Sequence, residues 1–226
     1  VASNKKGFAL LLDPDKLNSE ESIKETLSLA KEQNVDFILV GGSLITGNAF
    51  DKTVAKIKKL CEIPLILFPG SPLQLNEHVD AVLLLSLISG RNPELLIGHH
   101  VVAAPRIKEL GLETIATGYM LIDCGRPTTA SYMSNTNPIP HNKPEIAATT
   151  ALAGEMLGLQ CIYLDGGSGA YVPISTSMIE AVKNQISVPL IVGGGLKSSF
   201  DIQQALNAGA DIVVVGTAIE QNPELL

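Results

Sequence analysis

The chain has 226 residues, 46% of them apolar and 17% charged, and its 16 lysines and arginines against 23 aspartates and glutamates leave a net charge of −7. That apolar fraction excludes intrinsic disorder and supplies a sizeable core. The acidic balance, with no basic cluster, argues against a nucleic-acid surface or an anionic-lipid patch.

In chain order the sequence predicts a strand at 7–12, a helix at 19–33, a strand at 36–40, a helix at 49–60 and a strand at 64–68. The first helix follows from the spacing of Ile23, Leu27 and Ala30 behind a Ser19 cap. The eleven residues 69–79 carry two prolines and are too short and broken for a crossover helix. The third helix is therefore expected to be replaced by a loop. A strand at 80–85, a helix at 93–110 and a strand at 113–122 come next, with Pro93 suited to a helix first turn and Gly111 to a helix end. Residues 123–143 form a long loop rich in Pro, Thr, Ser and Asn, the signature of a lid or binding loop. A helix at 144–157, a strand at 161–164, a helix at 176–184, a strand at 188–192, a helix at 198–208 and a strand at 211–215 complete the pattern.

The strands are near-continuous apolar runs, as parallel strands covered on both faces must be. Eight of them alternating with helices, without a linker, predict a single α/β domain spanning 1–226, a modified (β/α)8 TIM barrel. A doubly wound open sheet is the alternative. A missing helix beside one strand and a lid after another predict an elongated groove. The strongest apolar run, at 81–88, has strand length, not membrane-span length, and the N-terminus reads as no signal peptide. Cys61, Cys124 and Cys161 form no C-x-x-C pair and read as buried free thiols in a reducing compartment. A cytoplasmic protein is expected.

The working residues of such barrels sit at the C-terminal ends of strands. Glycines at Gly193, Gly194 and Gly195, then Gly216 with Thr217, would let backbone N–H groups and helix N-termini meet an anion. The turn Gly166, Gly167, Ser168 and Gly169 makes a third such loop, although tight turns alone also explain glycines. A phosphate site is the reading. Asp13 at the end of the first strand suits Mg2+ shared with a diphosphate, and the Ser43 hydroxyl could complete that site. The competing role for Asp13 is a turn-initiating side chain before Pro14. Lys16 reads as a phosphate partner or a solvated loop residue. Tyr163 and Asp165, two apart, share one face with Cys161 and should point into the barrel, where they could hold and deprotonate a hydroxyl. A core tyrosine bonded to a turn aspartate is the plainer reading. Tyr119, Tyr132 and the leucines of the fourth strand are candidates for an apolar groove. His99 and His100, about 100° apart on a helix, cannot chelate one metal and read as surface or interface residues. His141 has no sequence partner. Dinucleotide and P-loop motifs are absent.

The segments LLDPDK (11–16), GGS (41–43), YLDGGSG (163–169), GGGLK (193–197) and VGT (215–217) occur in this order in geranylgeranylglyceryl phosphate synthases and their bacterial heptaprenyl relatives, and the chain resembles that family from Phe8 to about Thr217. The segment SNTNPIPHNKP (134–144) resembles the lid of the larger, group II branch. The resemblance implies a prenyltransferase that joins the C3 hydroxyl of sn-glycerol 1-phosphate to an allylic prenyl diphosphate, with geranylgeranyl diphosphate the favoured donor, and releases pyrophosphate. It implies Mg2+ at Asp13 and Ser43. Phosphate would be held by Ser168, Gly169, Gly194, Gly195, Gly216 and Thr217, with Tyr163, Leu164, Asp165, Gly166 and Gly167 completing the substrate site. Tyr163 and Asp165 are the catalytic candidates.

It also implies a homo-oligomer, with a hexamer as one form and the helix 99–106 as one interface. No nucleic-acid partner is expected from the acidic balance, and transient membrane contact is compatible with a twenty-carbon donor and lipid product that partition into bilayers. The sequence departs from the commoner pattern at Asp165, where many members carry Glu, and at Gly166, where Ala is usual. Leu11 stands where the smaller bacterial branch has Lys, which leaves phosphate charge to the backbone amides. The shared scaffold keeps two other readings open, a phosphosugar isomerase or epimerase and a non-catalytic phosphate-binding protein.

Overall fold

In a computed structural model that describes residues 5–17, 19–45, 47 and 49–216, the apolar runs lie side by side in parallel. They are β1 (Gly7–Leu12), β2 (Phe37–Val40), β3 (Leu65–Leu67), β4 (Ala81–Leu87), β5 (Glu113–Leu121), β6 (Cys161–Asp165), β7 (Leu190–Gly193) and β8 (Ile212–Val215). β8 returns to pair with β1, so the sheet is a closed barrel and the open-sheet alternative falls. Side chains alternate between two apolar layers. Ala9, Leu39, Leu83, Tyr163 and Val214 fill the barrel, while Leu10, Ile38, Val82, Leu164 and Val213 pack outward against the helices. Burial of both faces is why the strands read as unbroken apolar runs.

Residues Asp36, Asp80 and Asp211, which the sequence placed as strand starts, stand one position before β2, β4 and β8. Each carboxylate instead accepts from a backbone N–H of the preceding strand: Phe8 at 3.0 Å, Leu65 at 2.8 Å and Leu190 at 2.8 Å. Gln160, just before β6, does the same through its side-chain oxygen to the Ala116 amide at 2.8 Å. Lys5, Lys58 and Lys183 pair with the three aspartates. Every even strand thus carries a side chain that satisfies an odd strand's backbone at the N-terminal end of the barrel, where the ladder would otherwise leave a donor unpaired.

The crossovers are α1 (Glu20–Glu32), α2 (Phe50–Leu60), α3 (His99–Leu110), α5 (Pro144–Met156), α6 (Thr176–Lys183) and α7 (Ser199–Asn207), close to their predicted spans. Ser19, Ser175 and Ser198 cap α1, α6 and α7 by accepting a first-turn N–H. The first turn of the predicted helix at 93–110 is π-helical, Glu94–Gly98, and Pro105 lies inside α3. As anticipated, no α-helix joins β3 to β4; a single 3₁₀ turn, Pro72–Gln74, stands there.

The long loop is more ordered than its composition suggests. It holds a short helix, α4 (Thr129–Ser134), closed by a reciprocal Thr128–Ser131 capping box. Its far end is tied down where Ile139 bridges Ile122. Cys124 and Cys161 are buried free thiols, whereas Cys61 is half-buried at the end of α2. Among the described residues no helix is long and apolar enough to cross a membrane.

Candidate active site

Register places the chemistry at one rim. Leu12 pairs with Val40, Leu121 with Asp165, and Asp165 with Gly193, so the segments after β1, β2, β6 and β7 share the C-terminal mouth. There a cavity of about 670 Å³ is lined by Asp13, Ser43, Tyr163, Asp165, Gly167, Ser168, Gly169, Gly194, Gly195 and Gly216 together. Ten of the predicted site residues therefore meet in one place. Leu164 does not line it: its side chain points outward into the helix layer and is fully buried there, as the period of two along β6 dictates. Gly166 is also outside the lining, buried with its N–H on the Gly193 carbonyl. Thr217 lies outside the described residues.

The glycines have physical reasons. Gly194 sits at φ +83°, and a β-carbon there would come within 2.5 Å of the Gly167 nitrogen. The two phosphate-binding candidate turns, after β6 and after β7, are therefore packed backbone to backbone, which only glycine permits. Gly166 is filled from outside: the Cys124 sulfur stands 2.8 Å from where a β-carbon would be. Cys124 thus occupies the volume that the commoner alanine of the resembling family would need.

Asp165 is buried, and its partners differ from the predicted Tyr163. The Tyr119 hydroxyl, from the neighbouring β5, donates to Oδ2 at 2.5 Å, and the Gly167 amide donates to Oδ1 at 2.6 Å. Burial raises the Asp165 pKa above the ordinary aspartate value, while these two hydrogen bonds work the other way. Burial and the nearby Asp165 charge push both tyrosines well above the usual phenol range, so both hydroxyls keep their protons. The same two causes, with Asp123, lift the Cys124 thiol to about 12, which leaves it unreactive. Tyr163 stacks on Phe68 at 5.3 Å and meets Tyr119 edge-on at 5.6 Å. Among the described residues no protein group pairs with the Tyr163 hydroxyl, and Tyr163 lines the cavity while being 1% exposed. From sequence, Tyr119 is a candidate for the apolar groove only. Strand order brings it to Asp165, and no spacing in the sequence signals that.

Asp13 is a turn residue that also faces the cavity. Its Oδ1 accepts from the Asp15 amide at 3.1 Å in the turn, while its carboxylate also lines the cavity mouth, with Lys16 Nζ 3.7 Å from Oδ2. Arg126, Lys197 and Lys16 are the cations of the lining. Arg126 was not anticipated; its only sequence signal is a cation in the long loop just after a strand end.

A second, mostly apolar groove of about 770 Å³ starts at the same mouth. It shares Gly42, Ser43, Leu44, Phe68 and Ala130 with the polar cavity and continues past Leu75, Val82, Leu84, Leu95, Ala103 and Ile107. It runs where a crossover helix would have covered β3 and β4. Tyr119 and the leucines of β4 line it, as expected, but Tyr132 does not and stands 83% exposed. His99 and His100, read as surface or interface residues, also face this groove, and the Leu85 carbonyl holds the His100 ring at 2.9 Å from Nε2.

Residues 2–226 match the model of the PcrB family. The chain belongs to the PcrB family. A geranylgeranylglyceryl phosphate synthase of Spirosoma linguale is 54% identical over 224 residues, 99% of this chain and 90% of that protein. Among solved structures, the (S)-3-O-geranylgeranylglyceryl phosphate synthase of Thermoplasma acidophilum in complex with sn-glycerol-1-phosphate superposes with a TM-score of 0.91 at 30% identity, covering 98% of this chain and 89% of that one. An N-acetylmannosamine-6-phosphate 2-epimerase from Clostridium perfringens has a TM-score of 0.62 at 13% identity over 96% of this chain and 90% of that one. That likeness shows the barrel alone. The PcrB-family relatives thus include proteins with the activity that the sequence motifs implied.

Proposed function

We propose that this protein is a prenyltransferase, a geranylgeranylglyceryl phosphate synthase that joins sn-glycerol 1-phosphate to geranylgeranyl diphosphate. One observation carries the reading: a polar cavity rimmed by glycine amides opens, through five shared residues, into an apolar groove. A phosphate ester and a long apolar chain can therefore meet at Ser43 and Phe68. A phosphosugar isomerase would need the first compartment and have no use for the second.

The phosphate sits against the amides of Ser168, Gly169, Gly194, Gly195 and Gly216, with Thr217 assigned by motif. Tyr163, whose hydroxyl has no partner among the described residues, donates to a glycerol oxygen, and Asp165 accepts from the C3 hydroxyl, directly or through one water. That oxygen attacks C1 of the donor, a new C–O bond forms, and the bond to the diphosphate breaks with its electron pair leaving on pyrophosphate. The proton of the hydroxyl passes to Asp165, whose raised pKa makes it a better base than an exposed aspartate. Phe68, Tyr119 and Tyr163 pack into one ring cluster, and a ring face turned toward the reacting carbon would stabilise the positive charge that develops there.

Asp13 and Ser43 fit Mg2+. One carboxylate and one hydroxyl at the cavity mouth match the small protein share of a magnesium site completed by substrate phosphates and water. Among the described residues no group of three or more His, Cys, Asp or Glu side chains forms a self-sufficient metal cage. When bound, the metal would neutralise the leaving diphosphate.

The chain acts as one domain, in the cytoplasm. It works as a homo-oligomer, with the exposed Ile97, Val101 and Val102 of the π turn and α3 as one contact face. Contact with a bilayer is transient and made by Leu73, Leu44 and Met133, exposed apolar residues that rim the groove through which the donor enters.

The test offers labelled sn-glycerol 1-phosphate with prenyl diphosphates of increasing length, with Mg2+ or with EDTA, and counts label in the organic phase. Metal-dependent transfer, greatest with the geranylgeranyl donor, is the expected result. Folded protein that moves no label with any donor would overturn the reading.

A further inference from the structure

A phosphate monoester carries about two negative charges near neutral pH, whereas the glycine turns offer it only neutral amides and helix dipoles. The position where a resembling branch places a lysine is Leu11, an apolar part of the lining. Asp13 and Asp165 add negative charge to the same cavity. A counter-charge must therefore come from Lys16, Arg126 or Lys197, the cations that line it. Lys16 approaches the Asp13 carboxylate at 3.7 Å, and the Lys197 ammonium donates to the Tyr171 carbonyl at 3.0 Å. Arg126 alone of the three makes neither an ion pair nor a hydrogen bond among the described residues.

Its guanidinium is nevertheless held in place. One side lies on the Tyr171 ring, 5.4 Å from the centroid. The other lies against the turn after β6, so close that a β-carbon on Gly169 would stand 2.7 Å from Nη2. A planar cation with a forked set of donors is thus fixed beside the amides of Ser168 and Gly169, which is the geometry in which arginine takes two phosphate oxygens at once. The ring beneath it restricts its motion and adds cation–π attraction.

We infer that Arg126 binds the phosphate of the glycerol phosphate substrate, with Tyr171 as its platform. The assignment rests on the proposed reaction only for the identity of that phosphate ester. It makes the long loop part of the phosphate site and gives Gly169 a second reason, besides its φ of +74°, to lack a side chain.

Steady-state kinetics on Arg126→Gln, Arg126→Lys, Tyr171→Ala and the double variant Arg126→Gln/Tyr171→Ala test this, together with calorimetric titration of inorganic phosphate into each free protein. Arg126→Gln should raise KM for sn-glycerol 1-phosphate about ten- to a hundredfold, the usual loss for a charge-assisted hydrogen bond, and leave the donor KM within about twofold. Inorganic phosphate should bind correspondingly more weakly. Arg126→Lys should recover part of the loss because it restores charge without the fork. Tyr171→Ala should have a smaller effect that vanishes once Arg126 is already gone, since the ring acts through the guanidinium.

Unchanged glycerol phosphate KM and phosphate affinity in Arg126→Gln would overturn the assignment. So would a rise confined to the donor KM, which would move the guanidinium to the diphosphate. If the unaltered protein transfers no prenyl group, the proposed reaction fails by itself, and phosphate binding that still depends on Arg126 would support the arginine's role.

Discussion

Asp165 is held at both oxygens, by a phenol and by an amide, and buried so that its charge is costly. The Tyr119 bond favours the ionised form and so works against the effect of burial. Removing it in Tyr119→Phe lets the carboxyl pKa rise further, which lowers the fraction ionised at a given pH. The acidic limb of kcat/KM should therefore move to higher pH, with kcat down about tenfold or more. An unmoved limb would mean that Asp165 positions substrate without taking a proton. Asp13→Asn should abolish most turnover while glycerol phosphate binding, measured by calorimetry, stays near its original strength. Loss of that binding would place Asp13 in the phosphate site instead. Gly166→Ala should destabilise the fold by about 1–3 kcal/mol, because the new methyl meets the Cys124 sulfur at 2.8 Å in a packed interior. Adding Cys124→Ala should restore much of the melting temperature, and failure to do so would locate the strain elsewhere in the turn.

At the scale of elements, the groove exists because one crossover is missing. Two prolines in eleven residues prevent a helix between β3 and β4, and a 3₁₀ turn leaves the outward faces of Val82 and Leu84 uncovered by it. Leu84, half-buried on the groove wall, is a sensitive place to narrow it. Leu84→Trp should shift donor preference toward shorter prenyl diphosphates with little change in KM for glycerol phosphate, read from product lengths in the transfer assay. A uniform loss across all donors would show that the chain does not pass Leu84. This absence was legible because it depends on local breakers. α4 was not, since six residues carry too little periodicity, and its cap uses Ser131 in place of the usual acidic partner. The tie between Ile122 and Ile139 was equally hidden, because a single bridge leaves no pattern.

For the molecule as a whole, the four side chains before the even strands brace the end of the barrel opposite the site. Asp36 and Asp80 are partly desolvated, yet hydrogen bonds from Lys5 and the Phe8 amide, and from Lys58 and the Leu65 amide, hold their pKa values below the ordinary 3.8. A carboxyl lowered on folding contributes stability above its unfolded pKa and loses it as pH falls through the folded value. Asp36→Asn and Asp80→Asn should each cost about 1 kcal/mol near neutrality, after allowing for their exposure, which corresponds to about 2–4 °C in Tm. The gap from the unaltered protein should close as the pH falls below 3.8 and through the folded values of the two carboxyls. A gap that persists in acid would mean that packing, not charge, supports these positions.

The sequence by itself determined the alternation of strand and helix, the missing third crossover, the glycine turns and the motif order that marks the family. Each of these depends on neighbours a few residues apart, through periodicity, proline and glycine geometry, or a contiguous word of residues. Closure of the sheet, the Tyr119–Asp165 bond, the Cys124 plug behind Gly166, the outward turn of Leu164 and the seat of Arg126 against Gly169 were decided by tertiary structure alone. Closure joins the two ends of the described chain, the other contacts join residues more than 40 positions apart, and the turn of Leu164 selects a face of a strand; strand register sets all of them. Register comes from the whole barrel closing with two buried layers, a condition that no local stretch of the chain contains.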